Sequence, residues 1–416
     1  MKLPYNPEKH TFIGMATGKR AVFTADDAKH IFVCGTTGSG KTVVLSNYIK
    51  RAIEMGFPAL IIDGKGDTGA GSLLDIVQKL RGKDKKVYVI NMTSPQKSDK
   101  YNPFRNASPT IAKDMLINMT DWSEEHYKLN TERYLQRLVY ILHEAEIQLS
   151  FQNIIHYMAI EQFKALSATL FQQEIITKAD HTMNTELIKS SGKIAENALA
   201  RFATIAESEL GQVFDDSGID IYTALQEKAV ILFILNPLLY PELSPLMGRL
   251  ITIDSKKAIS KLYQSGTSRT FFIMDEINVY ASTVLVDLVN KSRSANVTCI
   301  LATQSLSDLD FAVNEAYKEQ IIENCNNYIV LRQNSSVNAE HWASVLGTRA
   351  TIDVTYQLQQ SGIAGFGTTE TGLGSARPVR EFIYHPDDIK RLQTGKAFYL
   401  SRDLDFHCKV NIYKPF

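Results

Sequence analysis

A glycine-rich segment at residues 35–42 has the composition and spacing for phosphate chemistry. It reads Gly-Thr-Thr-Gly-Ser-Gly-Lys-Thr, which fits the G-x-x-x-x-G-K-[ST] pattern, and it lies between an apolar run and apolar residues at helical spacing. Glycine allows torsions that direct consecutive N–H groups into one concavity, and unpaired N–H groups at a helix N-terminus favour an anion. The sequence therefore predicts a nucleoside triphosphate-binding loop made of Gly35, Thr36, Thr37, Gly38, Ser39, Gly40, Lys41 and Thr42.

Two side chains of this loop have separate expected roles. Lys41 is placed to reach the β- and γ-phosphates, and the Thr42 hydroxyl is placed to ligate Mg²⁺. The alternative is a glycine- and threonine-rich turn that matches the pattern by chance, and the strand and helix patterns around it argue against that interpretation. ATP and Mg²⁺ are the cofactors that this interpretation predicts.

An acidic pair, Asp275-Glu276, closes an apolar run at 270–274 that is typical of a buried strand. In nucleotide hydrolases with such a loop, an Asp at a strand end holds Mg²⁺ directly or through water. The neighbouring Glu is then suited to polarise the attacking water. The alternative is a pair of solvated acids that cap a strand. Together with the glycine-rich loop, the pair predicts Asp275 as a metal-binding residue and Glu276 as the catalytic base.

Two further residues complete the predicted site. Gln304 follows the apolar segment 297–303, and the carboxyl ends of parallel strands meet at the ligand crevice, so its amide is expected near the γ-phosphate or the water. Arg293 precedes that segment. It is either a surface cation or an arginine finger that stabilises the γ-phosphate of a neighbouring subunit.

The composition indicates a globular protein without a global charge bias. At 416 residues the chain is long for one domain, and its formal net charge of zero gives no overall attraction to nucleic acid or to an anionic membrane. A local basic patch or a charged pore remains compatible with that balance. No apolar stretch approaches the roughly 18 residues that span a bilayer, and the N-terminus has no signal-peptide pattern. The four cysteines show no metal or disulfide spacing, which predicts reduced core residues of a cytosolic protein.

Apolar runs and helical patterns alternate through the first hundred residues. Short apolar runs at 59–63 and 87–90 flank a helical pattern at 73–80, which predicts a mostly parallel sheet with helices on both faces. From about 108 to 208 the pattern is helical with a single glycine, and strand-like runs return near 229–235, 270–274, 297–301 and 328–331. Shorter strand candidates lie at 379–384 and 397–400. The expected architecture is an α/β core interrupted by an all-helical insertion.

These residues together resemble the coupling ATPases of type IV secretion and conjugation, the VirD4/TraG/TraD/TrwB group of the FtsK/HerA motor class. The resemblance extends over nearly the whole chain. The motifs that carry the resemblance are, in chain order, His30 together with residues 35–42, Ile62-Asp63-Gly64-Lys65-Gly66-Asp67, Tyr101-Asn102-Pro103-Phe104, Met274-Asp275-Glu276, residues 301–309 with Thr303-Gln304-Ser305, and Gly374-Ser375-Ala376-Arg377-Pro378-Val379-Arg380.

The resemblance implies a RecA-like P-loop core at 1–105 and 206–416, with an inserted all-α domain at 106–205. It also implies a ring, typically a homo-hexamer, with ATP sites between subunits and DNA or nucleoprotein in the central channel. Under this resemblance Lys41 and Thr42 belong to the Walker A motif and Asp275 and Glu276 to the Walker B motif. Gln304 becomes the sensor, and Arg293 becomes the finger that acts on a neighbouring subunit.

The sequence departs from the family pattern in two ways, and both bear on where in the cell the protein is expected to act. Most members begin with transmembrane helices and some end with an acidic extension, and this sequence has neither. The chain is therefore expected to be either a trimmed soluble part or a membrane-free bacterial member. As a membrane-free member, it is cytoplasmic or peripheral to the inner membrane, and partners such as a relaxase or secretion-channel proteins recruit it.

Two other functions remain open from the sequence. One is a chromosomal DNA translocase of the FtsK/HerA type, which the helical insertion after Asn102-Pro103-Phe104 disfavours. The other is a docking module for secreted proteins whose nucleotide site switches conformation with slow turnover. The zero net charge is compatible with such a module, whereas the intact Glu276 disfavours it.

Overall fold

The apolar runs of the sequence form the central strands of one large sheet. The computed structural model describes residues 9–25, 29–82, 84–265, 268–360 and 368–416. The described strands are β1 (His10–Ala16), β2 (Arg20–Ala25), β3 (His30–Cys34), β4 (Ala59–Asp63), β5 (Val87–Asn91), β6 (Val230–Ile234), β7 (Thr270–Asp275), β8 (Val297–Thr303), β9 (Cys325–Val330), β10 (Thr348–Gln360), β11 (Thr368–Phe382), β12 (Lys396–Ser401) and β13 (Phe406–Ile412).

Helices follow most of the parallel strands, as a parallel sheet requires for its crossover connections. The described α-helices are α1 (Lys41–Glu54), α2 (Leu73–Leu80), α3 (Pro109–Met119), α4 (Glu125–Glu144), α5 (Phe151–Met158), α6 (Ile160–Gln172), α7 (Lys178–Ala206), α8 (Ile221–Gln226), α9 (Leu243–Ser265), α10 (Thr283–Ser292), α11 (Leu306–Ala312), α12 (Glu315–Glu323), α13 (Ser336–Leu346) and α14 (Pro386–Lys390).

Strand order brings distant parts of the chain together. Eleven of the described strands form one sheet in the order β2-β1-β13-β12-β9-β3-β8-β7-β4-β6-β5. The run from β9 to β5 is parallel, and β12, β13, β1 and β2 add an antiparallel edge. Because β8 lies between β3 and β7, the loops that follow these three strands meet at one edge of the sheet. That edge carries the predicted site.

Both faces of the central parallel strands are covered, so these strands are mostly apolar. All five residues of β3, β4 and β6 are buried. One buried cluster packs α1 and α2 on one face, and a second covers the opposite face and continues into the helical region α3–α7. The predicted α/β class with a mostly parallel sheet is confirmed, and the RecA-like assignment agrees with it.

The segment predicted to be helical consists of helices and short connections. Residues 84–265 are all described, and no strand lies between β5 and β6, where α3 to α7 occupy Pro109–Ala206. Helix α3 packs against both α4 and α9, so the helical region is joined to the rest of the chain through buried side chains. Among the described residues, no helix has both the length and the apolarity needed to cross a membrane.

The C-terminal third contains strands that the sequence patterns did not reveal. Among the described residues, strand β11 pairs with β10 alone, in a two-stranded ribbon, and begins well before the short strand expected at 379–384. The predicted strand at 397–400 is β12. Part of the glycine- and threonine-rich stretch 363–375 falls outside the described residues. Strands β1, β2 and β13 were not predicted, because their alternating pattern is short and half-exposed.

Candidate active site

The glycine-rich loop follows β3, and α1 begins at Lys41, as the motif predicts. Gly38 has φ +72° and Gly40 has φ +113°, which are torsions that side chains disfavour. A Cβ on Gly35 would lie 2.5 Å from the Leu331 Cβ, so only glycine fits between β3 and the end of β9. The loop therefore has the tight backbone that a phosphate cradle needs.

Lys41 is buried inside its own loop. Its Nζ donates to the Gly35 carbonyl oxygen at 2.9 Å and lies 3.5 Å from Oε1 of Glu276. Only 8% of the Lys41 surface is exposed. The structure thus brings the lysine predicted for the Walker A motif and the glutamate predicted for the Walker B motif into one ion pair, although 235 positions separate them in the chain. This ammonium group stands where phosphate oxygens would enter the loop.

Glu276 is held in place by its backbone and by an amide. Its φ of +47° and ψ of +55° lie in the left-handed region, which is uncommon for a residue with a side chain and recurs at functional sites. The Gln304 amide donates from Nε2 to Glu276 Oε1 at 2.9 Å. The Thr37 hydroxyl in turn donates to Gln304 Oε1 at 2.8 Å. The predicted base and sensor are therefore in direct contact.

Asp275 lies deeper than Glu276 and beside a third carboxylate. Strand register pairs it with Asp63 at the end of β4, and both are almost fully buried. Burial raises the pKa of Asp275 to about 8, with Glu276 and Asp63 adding to the rise and Lys41 opposing it. Burial also raises the pKa of Asp63 to about 6, although Oδ1 of Asp63 accepts hydrogen bonds from the N–H groups of Lys65 and Gly66. A cation bound beside these buried carboxyl groups would favour their ionised forms, so the cluster is suited to a cation.

The donor set suits Mg²⁺ bound together with a triphosphate. Mg²⁺ prefers hard oxygen ligands and usually takes one or two carboxylates plus substrate phosphates. Asp275 and the half-buried Thr42 supply a carboxylate and a hydroxyl at the same edge. In the described part of the chain, no group of three or more His, Cys, Asp or Glu side chains forms an all-protein metal site. A metal here would therefore depend on the nucleotide for much of its coordination.

Several residues that contact the loop were missed in the sequence. The Asn334 amide donates to Thr36 Oγ1 at 3.3 Å, and the Gly395 N–H donates to the Ser39 carbonyl oxygen at 3.0 Å. The Thr394 hydroxyl donates to the Gly38 carbonyl oxygen at 3.1 Å. Asp63 could have been found as an acid that closes an apolar run, as Asp275 does. The others lie about 300 or more positions from the loop and carry no local signal.

Arg293 does not join these residues within one chain. It is exposed and lies in the turn that precedes β8, whereas Gln304 follows β8. Seven strand residues separate the two ends, which is roughly 23 Å at the usual strand rise. Arg293 is instead near His30, at the start of β3. The sequence prediction that this arginine serves another subunit is compatible with its position and is not tested by it.

One protein-family model matches nearly the whole chain. The model for the "Type IV secretion-system coupling protein DNA-binding domain" matches residues 16–412. A type 4 coupling protein, DotL of Legionella pneumophila, is 25% identical over 178 residues, which cover 38% of this chain and 23% of DotL. An uncharacterised protein of Mycoplasma pneumoniae is 31% identical over 109 residues, covering 26% of this chain and 70% of that protein.

Solved structures show the same fold at low sequence identity. The unbound bacterial conjugative coupling protein TrwBdeltaN70 superposes with a TM-score of 0.67 at 17% identity, covering 98% of this chain and 89% of that chain. TrwB in complex with ADP and Mg²⁺ gives 0.65 at 17% identity, covering 97% and 89%. VirB4 of Thermoanaerobacter pseudethanolicus gives 0.60 at 14% identity, covering 97% and 96%.

Proposed function

This chain belongs to the family of type IV secretion-system coupling protein DNA-binding domains, and on that basis we propose that it is an ATP-hydrolysing coupling protein. It would act as a DNA or nucleoprotein motor, or as a substrate receptor, in a conjugative or type IV secretion system. The observation that carries the proposal is the convergence of Lys41, Asp275, Glu276 and Gln304 at the carboxyl edge of the sheet. These are the groups that phosphoryl transfer to water requires.

The hydrolytic step assigns a role to each of these side chains. A water oxygen attacks the γ-phosphorus of ATP, the bond from that phosphorus to the β,γ-bridging oxygen breaks, and Glu276 accepts the proton of the water. Lys41 neutralises charge on the β- and γ-phosphates, and the Gln304 amide holds the Glu276 carboxylate. Thr42 and Asp275 would hold Mg²⁺, which supplies further charge neutralisation when it is bound. Relatives solved with ADP and Mg²⁺ and with ADPNP are compatible with this assignment.

The proposed unit of function is a homo-hexameric ring. Arg293 is exposed and remote from the P-loop of its own chain, so it reaches a γ-phosphate only on a neighbouring subunit. A guanidinium in that position stabilises the charge of the transition state. The division into a RecA-like domain (1–105 and 206–416) and an inserted all-α domain (106–205) remains part of this proposal.

The partners follow from the family and from general electrostatics. DNA would pass through the ring and be held mainly through its phosphates, so binding would be non-specific and would fall steeply with salt. A relaxase or secretion-channel proteins would deliver the substrate, and such partners would recruit the chain to the inner membrane from the cytoplasmic side. Conjugative TrwB and the coupling protein DotL are the relatives that support this setting.

One experiment tests the activity together with the DNA role. ATP hydrolysis is measured with Mg²⁺ alone, with single-stranded DNA and with double-stranded DNA, each at several salt concentrations. We expect turnover that DNA stimulates and that salt suppresses, while Glu276→Gln retains nucleotide binding and loses at least about 100-fold in kcat. Turnover that DNA leaves unchanged at every salt concentration would favour the docking module. Parental turnover by Glu276→Gln would contradict the assignment of the base.

The shared site is tested by mixing two inactive chains. Arg293→Ala keeps its own P-loop, and Lys41→Met keeps its own arginine, so each variant alone is expected to lose at least about 1000-fold in kcat. A mixture of the two forms interfaces with an intact P-loop and an intact arginine, and a measurable part of the activity should return. If the mixture stays as inactive as its components, Arg293 does not act between subunits.

A further inference from the structure

A chain of polar contacts connects the glycine-rich loop with the predicted base. The Thr37 hydroxyl donates to Gln304 Oε1 at 2.8 Å, and Gln304 Nε2 donates to Glu276 Oε1 at 2.9 Å. Lys41 approaches the same carboxylate oxygen at 3.5 Å. The hydroxyl at the start of this chain belongs to a loop position that the G-x-x-x-x-G-K-[ST] pattern leaves unspecified.

The loop that carries Thr37 is fixed on both sides. The Thr36 N–H donates to the Arg332 carbonyl oxygen at 3.0 Å, and the Ser39 hydroxyl donates to the Thr36 carbonyl oxygen at 2.6 Å. The Gly395 N–H holds the Ser39 carbonyl oxygen at 3.0 Å. The Thr37 side chain is itself exposed, so these neighbouring bonds and not packing set its position. The backbone that carries this hydroxyl is therefore held in place at the mouth of the site.

The hydrogen-bonding capacity of each group determines which group donates and which accepts in this series of contacts. A carboxylate only accepts hydrogen bonds, so Gln304 must turn its NH₂ toward Glu276 and its carbonyl oxygen away from it. That oxygen then needs a donor, and the Thr37 hydroxyl provides one. Without the hydroxyl, the half-buried Gln304 amide is free to rotate. It then no longer presents its NH₂ to Glu276 in a defined orientation. Serine would serve the same purpose, whereas valine has the shape of threonine without the donor.

We infer that Thr37 is a positioning residue for hydrolysis, whose hydroxyl fixes the Gln304 amide and through it the Glu276 carboxylate. The inference rests on the proposed ATPase function and adds to it a link between the phosphate-binding loop and the base. Thr37 touches no reacting atom in this scheme and acts only through Gln304.

The test separates turnover from binding. Thr37→Val is expected to lower kcat about 5- to 10-fold, as expected for one neutral hydrogen bond, with the affinity for a fluorescent ATP analogue changed less than about twofold. Thr37→Ser should restore most of the parental kcat. Thr182→Val removes a hydroxyl on α7 that bonds the Lys178 carbonyl oxygen, and this control should match the parent in both measurements.

A double-mutant cycle shows whether Thr37 acts through Gln304. In the Gln304→Met background, Thr37→Val should change kcat less than about twofold, because the amide that it positions has already been removed. Independent, multiplying effects of the two variants, or a Thr37→Val variant with parental kcat, would overturn the inference and leave the proposed function standing. A parental protein without ATP hydrolysis would overturn both.

Discussion

Lys41 and Lys257 are two buried lysines among carboxylates, and they differ in what surrounds them. Lys41 lies at the end of a glycine-rich loop, with Glu276 and one carbonyl oxygen as its partners. Lys257 lies on α9, where its Nζ donates to the carbonyl oxygens of Pro103 and Arg105. The first lysine is next to exposed loop residues, whereas the second is enclosed on all sides by protein.

The Lys257 cluster places one buried ammonium group between two buried carboxyl groups. Its Nζ is 2.8 Å from Asp254 Oδ1 and 3.4 Å from Asp220 Oδ2, and both carboxylates are fully buried. The Tyr101 hydroxyl donates to Asp254 Oδ2 at 2.9 Å, and the N–H of Ile221 donates to the same oxygen at 3.2 Å. This cluster therefore joins α9 to the segments before and after the helical region.

The comparison shows that a buried lysine–carboxylate pair does not identify a catalytic site on its own. At Lys41 two loop glycines have positive φ values, and Glu276 has a backbone conformation typical of functional positions. At Lys257 protein atoms already occupy the space around the ammonium group, which leaves none for a substrate. These differences are why we propose the Lys41 cluster as the ligand site and interpret the Lys257 cluster as structural.

The largest effect is expected at the architectural lysine. Lys257→Met leaves Asp254 and Asp220 buried without their cation, so the free energy of unfolding should fall by about 3–5 kcal/mol. Urea unfolding measures it. Lys256→Met is the matched control on the same helix, because its pair with Asp287 is partly exposed and should be worth less than about 1 kcal/mol. Equal losses in the two variants would remove the distinction between the clusters.

A buried histidine extends the comparison to the opposite end of β3. His30 donates from Nε2 to the Val289 carbonyl oxygen and accepts from the N–H of Cys299, and burial lowers its pKa to about 4. Below pH 6.5 the imidazole is protonated in the unfolded chain but stays neutral in the folded chain. The free energy of unfolding therefore falls as the pH drops from 6.5 toward 4. Between pH 7.5 and 5 the protonation of His30 in the unfolded chain lowers the free energy of unfolding by about 2 kcal/mol.

Urea unfolding at several pH values isolates the contribution of His30. His30→Gln removes the titrating group, so the stability of this variant should fall less steeply between pH 7.5 and 5 than that of the parent. Other groups titrate equally in both proteins and cancel in the difference. Parallel curves for the two proteins would show that the imidazole is not held neutral by its surroundings.

The smallest change in stability is expected at the lysine of the ligand site. Lys41→Met leaves Glu276 next to exposed loop residues and with the Gln304 amide as a remaining donor, so the free energy of unfolding should fall less than in Lys257→Met. The affinity for Mg²⁺–ATP should fall at least about 100-fold, measured by equilibrium titration. A loss of stability as large as that of Lys257→Met would show that Lys41 is architectural too.

Much of the fold followed from patterns that are local in the chain. The strands at β3, β4, β6 and β7 were predicted close to their observed bounds, because strands buried on both faces are apolar along their whole length. The helical region was equally visible from its 3.6-residue periodicity. Strands β1 and β13, in the antiparallel part of the sheet, were missed, since half-exposed strands carry a weaker pattern.

The candidate site was partly predictable for a similar reason. Lys41, Thr42, Asp275, Glu276 and Gln304 each stand where an apolar strand or its loop ends, and the sequence shows such positions directly. The contact from Thr37 to Gln304 was not predictable, because it joins residues 267 positions apart. The partners of Lys257 were hidden for the same reason.

The sequence by itself determined the local chemistry, which comprises the glycine torsions of the loop, the acids at strand ends and the family to which the chain belongs. The tertiary structure decided which of these groups meet. Placing β8 between β3 and β7 brings Gln304 to both Thr37 and Glu276, and placing β4 beside β7 sets Asp63 against Asp275. Strand order depends on pairing between distant segments, and no periodicity within a segment records it.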